Sequence, residues 1–271
     1  MINFHPPYRI IDAHTHMGLE YCLYHEYYDA DSIVKYMDEV GVETIFTSTC
    51  EDLMDGDSKR TQIVDAMKRY PDRIRGYYAV NPLLGYSKES IQKAFDENPG
   101  YVGLKFLPDY HRTNLTDSVY APAFEWANEH GALVLSHTWG VSMNGESCNS
   151  HDKITGVLEK YPNIMFIMGH SCQGQVDEAI AIAKHFKNAY LDLCDTSRLN
   201  GVIEKMVREV GANQVTFGTD VPMQGFCFQL GCVLGAKISD DDKKLILRDN
   251  ALDILKRSGR MLKNEEEKQH A

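Results

Sequence analysis

Two histidines stand one residue apart in Ile11-Asp12-Ala13-His14-Thr15-His16. In an extended chain that spacing puts both imidazoles on one face, about 7 Å apart along the strand, so both can reach one ion. Further on, Lys105 lies in Val102-Gly103-Leu104-Lys105-Phe106-Leu107-Pro108 and His137 follows Leu133-Val134-Leu135-Ser136. His170 follows Ile167-Met168-Gly169, and Asp220 follows Thr216-Phe217-Gly218-Thr219. Taken singly, each has a structural explanation: a buried hydrogen bond, an ion pair with a carboxylate, or a turn cap. Taken together, five apolar segments deliver metal-type or ionisable groups at the same end. Burying that many polar side chains is costly without a shared purpose, which points to one metal site. Imidazole with a carboxylate suits Zn²⁺, Mn²⁺, Fe²⁺ or Co²⁺ rather than Ca²⁺ or Mg²⁺. The residue types alone leave the choice among these ions open.

Something must hold these residues at one end. Eight short apolar runs read as strands: 9–16, 43–49, 74–80, 101–107, 133–138, 164–170, 189–194 and 215–219. Helical patterns lie between them at 31–40, 58–70, 88–97, 121–130, 153–160, 175–186 and 201–210. Strand starts fall about 30 residues apart, as in successive βαβ units. Gly41, Gly131 and Gly211 each stand where a helix ends before a strand, and Asp31 or Ser32 can cap the first helix. The segment Ile164–Met168 is apolar on both faces, as a parallel strand covered by helices must be. A doubly wound dinucleotide fold wants G-x-G-x-x-G after its first strand, and here that turn is His14-Thr15-His16-Met17-Gly18. The reading is therefore α/β: a single-domain (β/α)8 TIM barrel over residues 1–262, with a C-terminal closing helix and a polar tail over 263–271. Catalytic residues of such a barrel sit at the C-terminal ends of its strands.

Composition agrees with a globular protein. The 271 residues are 43% hydrophobic and 25% charged, with a net charge of −11. That balance argues against nucleic acid or an anionic membrane as the main partner. Seven cysteines without CxxC spacing suit a reducing, cytoplasmic setting better than a disulfide framework. No apolar stretch approaches the roughly 20 residues of a membrane span. No G-x-S-x-G elbow appears, which disfavours acyl-serine chemistry.

The segments Ile11–His16, Gly103–Phe106, Ser136-His137, Gly169-His170, Gly218–Asp220 and Asn250-Ala251 resemble, in order and spacing, the amidohydrolase superfamily. The closest likeness is to its amidohydrolase-2 branch, which includes aminocarboxymuconate semialdehyde decarboxylase-like proteins. The resemblance implies His14, His16, His137 and Asp220 as ligands of a catalytic divalent metal. His170 would orient water or substrate, or serve a second metal. Binuclear members use a carboxylated lysine on the fourth strand, where Lys105 stands. Members of the closest branch more often use one metal, so the resemblance implies one ion, Zn²⁺ first with Mn²⁺, Fe²⁺ or Co²⁺ as alternatives, and room for a second. The branch often carries a histidine two residues after that lysine; here the position is Leu107, with His111 nearby.

The activity expected first is hydrolysis of a small amide or lactone by metal-activated water. Asp220 would act as base and His170 would stand beside the developing oxyanion. The alternative is non-oxidative decarboxylation of a small aromatic or unsaturated acid on the same site, with Arg112 or Arg198 as candidate carboxylate partners. A third reading is a non-catalytic metal-binding barrel. The substrate is expected to be a small acidic or cyclic molecule, and homo-oligomerisation is left open. Trp139, Met143, Met223, Phe226, Phe228 and a tyrosine-rich loop (Tyr21, Tyr24, Tyr27, Tyr28, with His25) are candidate pocket residues, with packing of the first helix as the other reading for the tyrosines. Asp12 is either a partner of His14 or a structural hydrogen-bonding group.

Overall fold

The computed structural model describes residues 8–19, 24–56, 58–139, 147–262 and Glu265. Eight parallel strands follow one another in space in chain order: β1 (Ile10–Met17), β2 (Val42–Thr49), β3 (Ile74–Val80), β4 (Tyr101–Phe106), β5 (Leu133–Trp139), β6 (Met165–Gln173), β7 (Ala189–Asp192) and β8 (Val215–Thr216). Backbone hydrogen bonds bring the segment after β8 back to β1: Ala13 N to Phe217 O at 2.8 Å, Asp220 N to His14 O at 2.9 Å and His16 N to Val221 O at 2.6 Å. The barrel is thereby nearly closed, which removes the exposed edges of an open sheet.

The helices form because their apolar residues recur on one face and their ends are satisfied. In the helix Ala30–Val40, Ile33, Val34, Met37 and Val40 are buried. Its N-cap is Asp29, which accepts from Ser32 N at 2.8 Å. Asp31 and Ser32, expected as caps, lie two and three residues past the cap, within the first turn. Asp31 instead accepts from the side chains of Arg69 and Tyr70. Gly41 ends the helix at φ 87°, as its position in the sequence suggests.

The core has two layers. A large outer one lies between strands and helices. A smaller inner one fills the barrel with Ile11, Phe46, Tyr77, Leu133, Leu135, Met165 and Ile167. The helix Asn250–Arg257 joins the inner layer through Ala251, Ile254 and Leu255. Asn250 Nδ2 fixes it, donating to Ala212 O and Val215 O, both at 2.7 Å. This is the expected closing helix, and the opposite mouth is left for the polar groups. No helix among the described residues is long and apolar enough to cross a membrane. Of the expected polar tail only Glu265 is described, and it pairs with Arg248 at 2.8 Å.

Two strands depart from their expected form. In β1, Asp12 pairs with Ile45 but Thr15 with Thr47, so β1 advances three residues while β2 advances two. That irregularity re-aims the side chains after Asp12. The freed Ala13 carbonyl accepts the Tyr77 hydroxyl at 2.8 Å. β8 is only two residues long, not five, because Phe217 N turns to Ile246 O at 3.2 Å instead of to a neighbouring strand.

Candidate metal centre

Asp192, at the end of β7, orients the first histidine. Its Oδ2 lies 2.7 Å from His14 Nδ1, with both side chains fully buried. The contact places the Nδ1 proton against the carboxylate and leaves the Nε2 lone pair facing inward. Around that lone pair stand Lys105 Nζ at 2.7 Å and Asp220 Oδ1 at 3.6 Å. His16 Nε2 is 3.4 Å from the same Asp220 oxygen, and its Nδ1 is 3.3 Å from Ser48 Oγ. The ring of His170 lies 5.0 Å from that of His14 and 4.9 Å from that of His137.

Space here is tight enough to dictate glycine. A Cβ on Gly218 would fall 2.1 Å from Asp192 Oδ1 and 2.8 Å from His14 Cβ. One on Gly169 would fall 2.8 Å from Ser136 O and 3.0 Å from His14 Cε1. The backbone carries strain as well. His170, Ser171 and Cys172 are consecutive left-handed residues, with φ of 66°, 46° and 53°, and Asp220 has φ 65°. Such conformations persist only where surrounding bonds enforce them. Here Asp192 Oδ2 accepts from His170 N at 3.0 Å, Thr196 Oγ1 donates to His170 O at 2.5 Å, and Ser171 Oγ donates to Asp192 O at 2.7 Å. The result turns the His170 imidazole into the barrel mouth.

Burial dominates the charges. It pushes the Asp192 carboxyl up to about 6, against the pull of His170, and brings Lys105 down to about 8. Burial, then neighbouring Lys105, pushes His14 well below the usual histidine range; burial does the same to His170. For Asp220 burial works upward, but contact with His16 and the fields of His170 and His14 outweigh it and hold the carboxyl well below its usual range. His14, His16 and His170, each held below the usual histidine range, beside a carboxylate held below its own, form a donor set suited to a divalent transition ion. One ligand atom each from His14, His170, Cys194 and Asp220 lies within 4.8 Å of all the others. Among the described residues His137 Nδ1 is buried without a hydrogen-bond partner, 3.7 Å from Asp109 Oδ2.

Above the cluster lies a cavity of about 210 Å³. His16, His137, His170 and Asp220 form its polar side; Leu53, Met54, Leu107, Tyr110, Trp139 and Met223 form much of the rest. Trp139 lies parallel to His137, with ring centroids 5.7 Å apart.

The structure thus brings His14, His16, Lys105, His137, His170 and Asp220 together, with Trp139 and Met223 at the cavity. It does not bring the other candidates there. His111 bonds Tyr120 Oη at 2.9 Å and Leu53 O at 2.7 Å, and so ties a loop. Arg112 is exposed and lines no part of this cavity. Arg198 pairs with Asp195 at 2.8 Å. Tyr27 stacks on Tyr36, Phe226 is buried in the outer core, and Tyr24 and Phe228 are exposed. Tyr21 and Met143 lie outside the described residues. Asp12 accepts from His14 N at 3.0 Å and Thr219 Oγ1 at 2.5 Å, so it clasps β1 to the segment after β8 and leaves the imidazole to Asp192. Burial raises this Asp12 carboxyl well above its usual range. Asp192 and Cys194 are the residues sequence reasoning missed. Both stand in the last apolar run before β8, at the same strand end that singled out the others.

A family model described as amidohydrolase matches residues 11–257. The chain belongs to the amidohydrolase family. None of the curated proteins matches it. Among solved structures, an uncharacterized TIM-barrel protein from Bordetella bronchiseptica has a TM-score of 0.76 at 18% identity, covering 93% of this chain and 99% of its own. A dihydroxybenzoic acid decarboxylase from Polaromonas sp. JS666, with bound manganese and the inhibitor 2-nitroresorcinol, gives 0.68 at 17%, covering 92% and 97%. A 5-carboxyvanillate decarboxylase from Novosphingobium aromaticivorans, complexed with manganese and a nitrobenzoic acid, gives 0.72 at 15%, covering 92% and 96%. At these identities the likeness of this amidohydrolase-family chain to them is one of fold.

Proposed function

We propose that this amidohydrolase-family protein is a metal-dependent decarboxylase of a small aromatic or unsaturated carboxylic acid. The observation that carries the reading is the cavity itself: a small space of about 210 Å³ with many apolar and aromatic lining residues beside the ionisable His16, His137, His170 and Asp220. Its size suits a single planar ring. The decarboxylases among its structural neighbours, two of them with manganese, support the same direction. Hydrolysis, expected first from the sequence, becomes the second reading. It is favoured by Asp220, an ionised carboxylate placed to act as a base.

His14, His16, His137 and Asp220 are the residues proposed to hold the ion, and Mn²⁺ joins Zn²⁺ as a leading candidate. The ion would supply positive charge to the substrate's oxygens. Trp139, Leu107 and Met223 would hold the ring and exclude water, leaving a carboxylate poorly solvated. The bond from ring carbon to carboxylate then breaks, CO₂ leaves, and the electron pair stays on the carbon until a proton reaches it. Asp220 and His170, both facing the cavity, are the groups proposed to carry that proton.

A panel of hydroxybenzoates and unsaturated acids, run beside small amides and lactones with Mn²⁺ or Zn²⁺, tests the proposal. CO₂ release from an acid, lost on chelation, is the expected result. Hydrolysis of an amide or lactone without CO₂ release would move the assignment to the second reading.

A further inference from the structure

Cys194 is fully buried, and its Sγ lies 3.3 Å from His170 Nδ1. It belongs to the group of four donors whose ligand atoms all lie within 4.8 Å of one another. His14 Nε2 and Asp220 Oδ1, two of the groups proposed to hold the ion, lie 3.6 Å apart, a separation that matches an edge of a coordination tetrahedron. Metal–ligand bonds of about 2.0–2.3 Å give edges of roughly 3.3–3.8 Å. His16, His137, His170 and Asp220 line the cavity, whereas His14 and Cys194 do not and are fully buried. Cys194 N donates to Asp192 Oδ1 at 3.2 Å, so the carboxylate that orients His14 also fixes the cysteine's backbone.

We propose that Cys194 is a thiolate ligand of the metal centre that His14 and Asp220 would anchor. The inference rests on the metal-centre part of the proposed function and deepens it. On binding, the Sγ–H bond breaks, the sulfur keeps the electron pair for the metal, and one proton is released. A soft sulfur donor biases the site toward Zn²⁺, Co²⁺ or Fe²⁺ over Mn²⁺.

Co²⁺ reports its own ligands, so the test is a cobalt titration of chelator-treated protein followed by absorption. The expected result is visible ligand-field bands together with a near-ultraviolet sulfur-to-cobalt charge-transfer band. That second band should disappear in Cys194→Ser while the ligand-field bands remain. It should persist in Cys50→Ser, which removes the thiol that lines the cavity, and in Cys227→Ser, which removes an exposed one. Cys194→Ala replaces the serine variant if that one does not fold. Ligand-field bands without charge transfer, or a charge-transfer band that survives in the Cys194 variant, would overturn the cysteine assignment and leave the metal centre standing. No cobalt uptake at all would overturn both.

Discussion

Asp192 Oδ2 serves His14 and His170 at once, lying 2.7 Å from the Nδ1 of the first and accepting the backbone N–H of the second at 3.0 Å. One carboxylate thus fixes an imidazole and the strained backbone that presents another. Replacing it with asparagine removes the charge but keeps the shape. Asp192→Asn should weaken metal binding by about 10- to 100-fold, the usual cost of losing a carboxylate behind a ligating histidine. Competition against a chelator of known affinity measures this. Unchanged affinity would mean that Asp192 does not support the centre.

Gly218, in the segment after β8, packs directly against Asp192 and His14. Gly218→Ala drives a methyl group into Asp192 Oδ1 and the His14 Cβ, both in a packed interior. The loss should be at least roughly 1–3 kcal/mol in denaturant unfolding, as for other overpacked positions. Metal binding should fall with it. Gly218 does not have a positive φ, so its cost is the clash alone; the same substitution at Gly85, with φ 61° and no described atom within 4 Å of an added Cβ, gives the cost of backbone strain alone for comparison.

His111 and Arg112 follow β4 closely in sequence, yet the geometry gives them different fates. His111→Ala leaves Tyr120 Oη and Leu53 O without their partner, which should cost roughly 1–3 kcal/mol. The Arg112 side chain is exposed, and Arg112→Ala should leave stability and KM nearly unchanged. A large rise in KM on removing Arg112 would show that substrate reaches beyond the described cavity.

Trp139 forms one wall of the cavity beside His137. Trp139→Ala should lower kcat/KM roughly tenfold, about 1.4 kcal/mol, mainly through KM. Steady-state kinetics on whichever substrate the panel identifies gives the split. A kcat loss with unchanged KM would instead make Trp139 an organiser of His137.

Burial pushes the Cys172 thiol up to about 12. A raised value means less thiolate: at pH 8 about one part in ten thousand is reactive. Alkylation in the native state should therefore modify exposed Cys227 long before Cys172, with Cys172 labelled only on unfolding. Peptide mapping after a timed iodoacetamide reaction reads the order.

Much of this architecture is legible in the residues, because each βα unit is specified locally. An apolar run, an amphipathic stretch and a glycine such as Gly41 or Gly131 suffice to place a strand and the helix before it. The strand-end rule likewise picks out His14, His16, Lys105, His137, His170 and Asp220. It fails where register is irregular. Counting by twos places Asp12 with His14, but the extra residue in β1 breaks that count, and Asp12 holds Thr219 instead. It fails also where a short turn reverses the chain. Pro108–His111 is one helical turn, and it sends His111 back to Leu53 and Tyr120. Asp192 and Cys194 escaped because a single acid and a single thiol in an apolar run look like ordinary buried residues. Their meaning comes from β7 lying beside β6 and β8.

The central claim is that the barrel mouth holds a catalytic transition metal. Elemental analysis of the purified wild-type protein beside the double variant His14→Ala, His16→Ala tests it most directly, with circular dichroism to verify that both are folded. About one equivalent of Zn, Mn, Fe or Co in the wild type and its loss in the folded variant is the predicted result. Equal metal content in the two proteins, or a wild type that takes up none of these ions when they are supplied, would contradict it.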